Sequence, residues 1–348
     1  MIRLRSLIPP FVAPLCVAAL AAGGLVALAA PSASAAGEGT LTVYSGRTEE
    51  LIQPLLTEFA ADTGIDVEVR YGDSADLALV IEEEGAASPA DVFLSQSPGA
   101  TGYLDGADRL RTISPSILRK VDERYRASDG RWVGVSGRVR VLVYNTDLVK
   151  PADLPDSVLD LTKAKYRDQV ALAPSNGSFQ DFVTAMREIE GEKVTKQWLA
   201  GMEANGATSY ANNSAIVEAV ARGEVPMGLV NHYYAALAKD ADPTVPVENH
   251  VFPNRDVGSV ILVTSAAVLD STDDRKLAER FVQYLLSKPA QVHLAEDEFE
   301  YPLAKGIKPL GGLPPLSSIE APRLDLDTLG GELLETRELI AESGLEQA

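Results

Sequence analysis

Two adjacent tyrosines, Tyr233 and Tyr234, carry the most specific chemistry in this 348-residue sequence. A phenolate is a hard, anionic oxygen donor, and a trivalent cation acidifies a phenol enough to bind it near neutral pH. The pair follows an apolar run, Met227-Gly228-Leu229-Val230, and then Asn231 and His232. Neighbours on a strand point to opposite faces, so the two rings converge only if they sit in the turn after the strand. His232 is placed as a hydrogen-bonding neighbour, not as a ligand. Ordinary packing, with one ring inside and one on the surface, is the competing reading of the pair.

Other strand-to-helix turns offer polar groups. Asn176-Gly177-Ser178 lies between a strand at Val170 and a helix beginning near Phe179. Free N–H groups at a helix start bind an anion, and Gly177 would let one approach the backbone; simple capping by Ser or Asn uses the same atoms. Asn212-Asn213-Ser214, before a helix at Ile216, has the same two readings, and Asn231 is a third polar contact. In Tyr44-Ser45-Gly46-Arg47-Thr48-Glu49-Glu50 the acids suit the helix dipole, while Arg47, Thr48 or a Glu faces a cleft in the functional reading. Gln96 and Ser97 end another strand and are cleft candidates. Arg138 and Arg140 share a strand face, where they bind an anion or form salt bridges across a hinge.

The elements that must position these residues alternate. Leu41 to Tyr44 reads as a strand, Glu49 to Thr63 as a helix stopped by Gly64, and Ile65 to Arg70 as a strand, which makes a βαβ unit. A helix over Ser74 to Glu84 and a strand over Ala90 to Leu94 continue the rhythm. Two long β-rich passages break it. Trp132 to Asn145 reads as an extended strand pair that leaves one lobe and enters another, and Gly258 to Leu269 as the return crossing. The expected architecture is therefore α/β: a two-lobed clamshell with two hinge strands, its ligand held beyond the carboxyl ends of the strands. The tail from about Pro314 reads as helical, acidic and packed on the surface.

Composition narrows the class. Residues 1–36 read as a signal peptide: Arg3 and Arg5, a long apolar stretch, then Ala33-x-Ala35. Removing it takes the formal net charge from −19 to −21, because both arginines go. Such acidity argues against nucleic acid or an anionic membrane as the main partner. Cys16, the only cysteine, falls in the leader with Leu15 before it, which excludes disulfides in the mature chain and disfavours a lipid anchor. Three histidines without HExxH exclude zinc-protease chemistry, and the absence of GxSxG argues against a secreted hydrolase.

Taken in order, LTVYSGR, EEEGAASPADVFLSQ, WVGVSGRVRVLVYNTD, YANNSAIVEAV, GLVNHYY and EYPL (Glu300 to Leu303) resemble the periplasmic ferric-ion-binding proteins of ABC importers, a family of type II periplasmic binding proteins. The resemblance covers nearly the whole mature chain. It implies Fe³⁺ in the interlobe cleft on Tyr233 and Tyr234. It also implies a synergistic anion on Asn176, Gly177 and Ser178, with Asn213 and Asn231 contributing. Thr48 stands where one subgroup has His, Gln96 where it has Glu, and Ser178-Phe179 where another has a further Tyr. The missing donors point to an exogenous anion such as carbonate or phosphate, with Thr48, Gln96, Ser97 and Arg140 as cleft contacts. The implied lobes are 37–138 with about 263–313, and 139–262 with about 314–348. The implied protein is an exported, periplasmic monomer that delivers iron to a membrane permease. A carrier of a phosphonate, another oxyanion or an iron chelate is the alternative within the class.

Overall fold

A computed structural model describes residues 39–309 and 312–345. The expected leader, with Cys16, lies outside the described residues. The strands are β1 (Thr40–Ser45), β2 (Asp66–Tyr71), β3 (Val92–Ser95), β4 (Leu110–Arg111), β5 (Trp132–Asn145), β6 (Val170–Leu172), β7 (Thr208–Ser209), β8 (Met227–Asn231), β9 (Val247–His250), β10 (Ile261–Leu269) and β11 (Tyr301–Pro302). The helices are α1 (Glu49–Thr63), α2 (Ser74–Glu84), α3 (Pro98–Gly106), α4 (Pro115–Leu118), α5 (Gly177–Glu190), α6 (Glu192–Ala204), α7 (Asn213–Ala221), α8 (Tyr233–Ala241), α9 (Arg275–Leu285), α10 (Lys288–Glu296) and α11 (Leu333–Glu342). The alternation read from the sequence is present. Helix α1 ends on Gly64 in the left-handed region (φ 70°), where a residue without Cβ fits best. Helix α2 starts on Asp73, whose side chain accepts from the Ala75 N–H.

The sheet runs β2-β1-β3-β10-β5-β8-β6-β7. Parallel pairing occurs at the two ends, between β1, β2 and β3 and between β6, β7 and β8. The middle is antiparallel. The first part of β5 pairs with β10, from Trp132 to Val139, and its second part pairs with β8 and β9, from Arg140 to Asn145. Thus Trp132 to Asn145 is one continuous 14-residue strand, not the strand pair expected. Gly134 and Gly137 do not break it because they serve close approach: a Cβ on Gly134 would stand 2.5 Å from the Tyr125 carbonyl oxygen. The irregularity is instead a bulge, in which Thr264 faces Ser136 and Ser265 faces Gly134. Every residue of β5 is buried. Arg138 and Arg140 are therefore carried into the interior by a strand covered on both faces.

The tail also departs from expectation. Leu329, Leu333, Ile340 and Leu345 join the main apolar core, so the segment is more than a surface helix. It lies against α3 and α5: Thr184 and Thr336 hydroxyls are 2.8 Å apart, and Arg187 pairs with Glu332 at 3.0 Å. The sequence pattern there mixes leucines with acids, and the acids occupy the solvent side. Gly330 meets Gly102 backbone to backbone, and a Cβ on Gly330 would come within 2.2 Å of the Gly102 carbonyl carbon. Gly330→Ala should therefore lower unfolding stability by about 1–3 kcal/mol, the usual cost of overpacking. Urea denaturation checks this, and an unchanged midpoint would mean that the tail yields without cost.

Candidate functional site

Strand β8 delivers Asn231, one residue turns the chain, and Tyr233 and Tyr234 open α8. The pair therefore lies just past the one-residue turn, in the first turn of α8, and not in the turn itself as expected. Their rings stack with centroids 4.2 Å apart and planes at 29°. Both are buried. The Tyr233 hydroxyl receives Arg47 Nη1 at 3.1 Å and Gln96 Nε2 at 3.3 Å, both from the first part of the chain. The Arg47 guanidinium also stands 5.4 Å from the Tyr233 ring centroid. It is held on its other side by Glu300, with Nη2 2.6 Å from Oε1, and Glu300 accepts from the Ser136 hydroxyl as well. Burial pushes the Tyr233 phenol well above its usual range, and the Arg47 charge opposes that shift. The Tyr234 hydroxyl makes no hydrogen bond among the described residues.

His232 behaves as the neighbour expected. Its Nδ1 accepts from the Val139 N–H at 3.2 Å, and its ring packs on Tyr301 at 5.0 Å. Burial pushes the imidazole down to about 4, so it is neutral at physiological pH.

The polar turns gather around Arg140. Its Nη1 donates to Ser178 Oγ at 3.2 Å, Asn231 Oδ1 at 3.2 Å and Asn213 Oδ1 at 3.4 Å, and Nη2 donates to the Leu229 carbonyl. Asn176 caps α5: its Oδ1 accepts from the Ser178 N–H and hydroxyl and from Asn213 Nδ2. The Gly177 N–H donates to Asp73 Oδ2 at 3.1 Å. Asn176, Gly177, Ser178, Asn213 and Asn231, which come from three separate segments, therefore form one cluster. Arg138, on the same face of β5, donates from Nη1 to Thr264 Oγ1 at 2.9 Å.

Neither Arg138 nor Arg140 forms an ion pair among the described residues, so the expected hinge salt bridge is not present. The nearby carboxylates are engaged elsewhere: Glu300 by Arg47 and Ser136, and Asp181 by Ser97 Oγ at 2.5 Å and the Gly99 N–H at 3.2 Å. Arg138 Nε and Nη2, Arg140 Nε and Asn231 Nδ2 are buried donors without an acceptor. Burial first, and then the neighbouring Arg138 charge, lowers Arg140 to about 9, which still leaves it cationic at neutral pH. An acceptor-rich anion is the chemistry such donors suit.

Of the expected cleft contacts, Gln96, Ser97 and Arg140 are buried. Thr48 is not among them: it is exposed at the start of α1, beside exposed Glu49 and Glu50. Its neighbour Arg47 turns inward instead, because Ser45 Oγ accepts the Arg47 N–H and donates to the Arg47 carbonyl. Sequence reasoning gave no role to Asp73, Asp181 or Glu300. The cap signal of Gly72-Asp73-Ser74 was readable, but its second partner lies 104 residues away. Among the described residues no group of three or more His, Cys, Asp and Glu could hold a metal ion.

The chain resembles known proteins along nearly its whole length. The profile of bacterial extracellular solute-binding proteins matches residues 44–292. An Fe(3+)-binding periplasmic protein of Serratia marcescens is 34% identical over 332 residues, covering 94% of this chain and 97% of the relative. The major ferric iron-binding protein of Neisseria meningitidis is 33% identical, covering 91% and 96%. Among solved structures, iron-bound HitA from Pseudomonas aeruginosa superposes with a TM-score of 0.84 at 34% identity, covering 88% of this chain and 99% of that one. The fold is accordingly the α/β, two-lobed architecture of type II periplasmic binding proteins.

Asp181 yields a pH test of this interior. Burial, opposed by its Ser97 bond and the Arg138 charge, pushes its carboxyl from 3.8 up to about 7. The folded state therefore holds a proton that the unfolded chain releases between about pH 4 and 7, and stability falls as pH rises through that window. Asp181→Asn keeps the acceptor for Ser97 and Gly99 and removes the charge. It should match the parent in melting temperature at pH 3.5 and exceed it at pH 7.5. An equal difference at both pH values would contradict the assignment.

Proposed function

The chain belongs to the bacterial extracellular solute-binding proteins, and from that premise we propose that it captures Fe³⁺ in the cleft between its lobes and delivers it to an ABC permease. In this reading the lobes comprise 37–138 with about 263–313, and 139–262 with about 314–348. The protein is exported and works in the periplasm as a monomer. Tyr233 and Tyr234 are the metal ligands, as phenolates. The observation that supports this most is the buried stacked pair at the start of α8, its inner oxygen already meeting Arg47 and Gln96 from the other side. Relatives named for ferric iron support the choice of metal.

Charge argues for a second ligand. Fe³⁺ with two phenolates keeps one positive charge, and Arg138 and Arg140 add two more in the same interior without a carboxylate partner. Uncompensated buried charge is costly. An oxyanion such as carbonate or phosphate, held by Asn176, Gly177, Ser178, Asn213 and Asn231 beside Arg140, offsets it and supplies oxygens to complete an octahedral site. Exposed Thr48 supplies no donor, and Gln96 is uncharged, so the anion takes the part the His and Glu would have played. A carrier of an iron chelate is the second reading, favoured by the four unpaired buried donors and by resemblance to a Trichodesmium protein in complex with iron and citrate (28% identical, TM-score 0.74).

Adding Fe³⁺ to the purified mature protein should give a tyrosinate-to-iron absorption band and tightly bound iron by elemental analysis. Tyr233→Phe with Tyr234→Phe should abolish the band; a colourless complex of undiminished affinity would remove the tyrosines from the site and favour the chelate reading. In buffer stripped of carbonate and phosphate, iron affinity should fall at least about tenfold, the scale of losing a supporting partner. Equal affinity with and without the anion would sink its role.

A further inference from the structure

The turn assigned to the anion already touches a carboxylate of this chain. Asp73 uses Oδ1 to cap its own helix, accepting from the Ala75 N–H at 2.9 Å, and Oδ2 to accept from the Gly177 N–H at 3.1 Å. Gly177 is the first residue of α5 and the glycine of the anion turn. In the reverse direction, Asp181 of α5 reaches the start of α3, accepting from Ser97 Oγ and the Gly99 N–H. Gly99 leaves no slack there, since a Cβ on it would lie 2.6 Å from Asp181 Oδ1. The starts of α5 and α3 thus each donate to a carboxylate carried by a distant segment, Asp73 at the cap of α2 and Asp181 within α5.

We propose that Asp73 is a built-in competitor for the anion at Gly177, and that it sets the anion concentration at which the protein loads. This rests on the anion-turn reading above. An N–H at a helix start donates well to one negative group, and two carboxyl or phosphate groups crowded on it repel. The incoming oxyanion must therefore displace Asp73 Oδ2. Asp73 cannot follow its partner outward, because Oδ1 is tied to α2. The displaced carboxylate then stays beside the site, and only an anion that gains more from Arg140 and the neighbouring amides than Asp73 gains from Gly177 takes the turn. Asp181, by contrast, holds the α3 side without touching the anion residues, so closure does not depend on Asp73 alone.

The test uses the full mature protein and inorganic phosphate, reading the phosphate concentration that gives half of the iron colour. Asp73→Ser keeps an oxygen to cap α2 but withdraws the carboxylate from Gly177, and should lower that concentration about 5- to 20-fold, the strength of one charge-assisted hydrogen bond. Asp76→Ser removes the same charge from the same helical turn, where Asp76 pairs with Arg337 and not with Gly177, and should leave the concentration unchanged. An unchanged or raised value in Asp73→Ser overturns the proposal, as does an equal fall in both variants, which would signal general charge. In the wild-type protein, phosphate without metal should shift the Asp73 carboxyl ¹³C resonance; a silent Asp73 also overturns it, whether or not the variants fold. If wild-type colour ignores phosphate and carbonate altogether, the anion reading itself fails, a distinct result.

Discussion

A guanidinium that has no carboxylate to neutralise it organises this interior. Arg140 sits on a strand buried along its full length, and its charge is met only by neutral oxygens: Ser178, Asn213, Asn231 and the Leu229 carbonyl. Taking a cation out of water costs several kcal/mol unless its surroundings answer it. Side-chain oxygens from the starts of α5 and α7 and the end of β8 converge for that reason, and Phe182 adds a ring 5.7 Å from the guanidinium carbon. Arg138, two residues earlier on the same face, doubles the problem. The arrangement stabilises a fold and leaves a demand for negative charge in the same volume.

The tyrosine pair answers to a different cation. Arg47 is balanced by Glu300, so its presence beside Tyr233 adds little net charge while aiming a donor at the phenolic oxygen. That oxygen is where groups from β1–α1 and β3–α3 meet a group from α8. One atom is thereby both a contact between the two parts of the chain and the proposed ligand. Neutral His232, packed on Tyr301 and bonded to the Val139 N–H, fixes the backbone just before the pair.

What was legible in the sequence follows the range of the forces involved. The period-two run of β5, the cap at Asn176 and the glycine stop at Gly64 are local, and each was readable. The continuity of β5 was misjudged because Gly134 and Gly137 look like breaks when their reason, a neighbouring backbone at close range, is out of sight. Thr48 and Arg47 differ by one position, and the choice between them is made by a Ser45 hydroxyl turn and a partner 186 residues away. Asp73 went unremarked because its second partner, the Gly177 N–H, lies 104 residues away. The expected salt bridge of Arg138 and Arg140 failed for the same reason: Glu300 and Asp181 had been claimed by residues that the local sequence does not reveal.

The anion cluster and the tyrosine pair are not independent. Asn231 holds Arg140, and two residues later Tyr233 meets Arg47, so the carboxyl end of β8 belongs to both. In the proposed reading a ligand held at Asn231 and a ligand held at Tyr233 both bear on the two residues that join β8 to α8. Coupling between two ligands at such a junction is reciprocal by thermodynamic necessity: if the anion strengthens metal binding, the metal strengthens anion binding by the same factor. The cross-sheet carboxylates act on that shared equilibrium. In the proposed reading Asp73 weighs against the anion, while the charge of Arg138 and Arg140 weighs for the anion and, until an anion answers it, against the metal. In that reading an anion answers the buried charge of Arg138 and Arg140 and so lowers the cost of placing a cation beside them, whereas a cation alone adds to that charge.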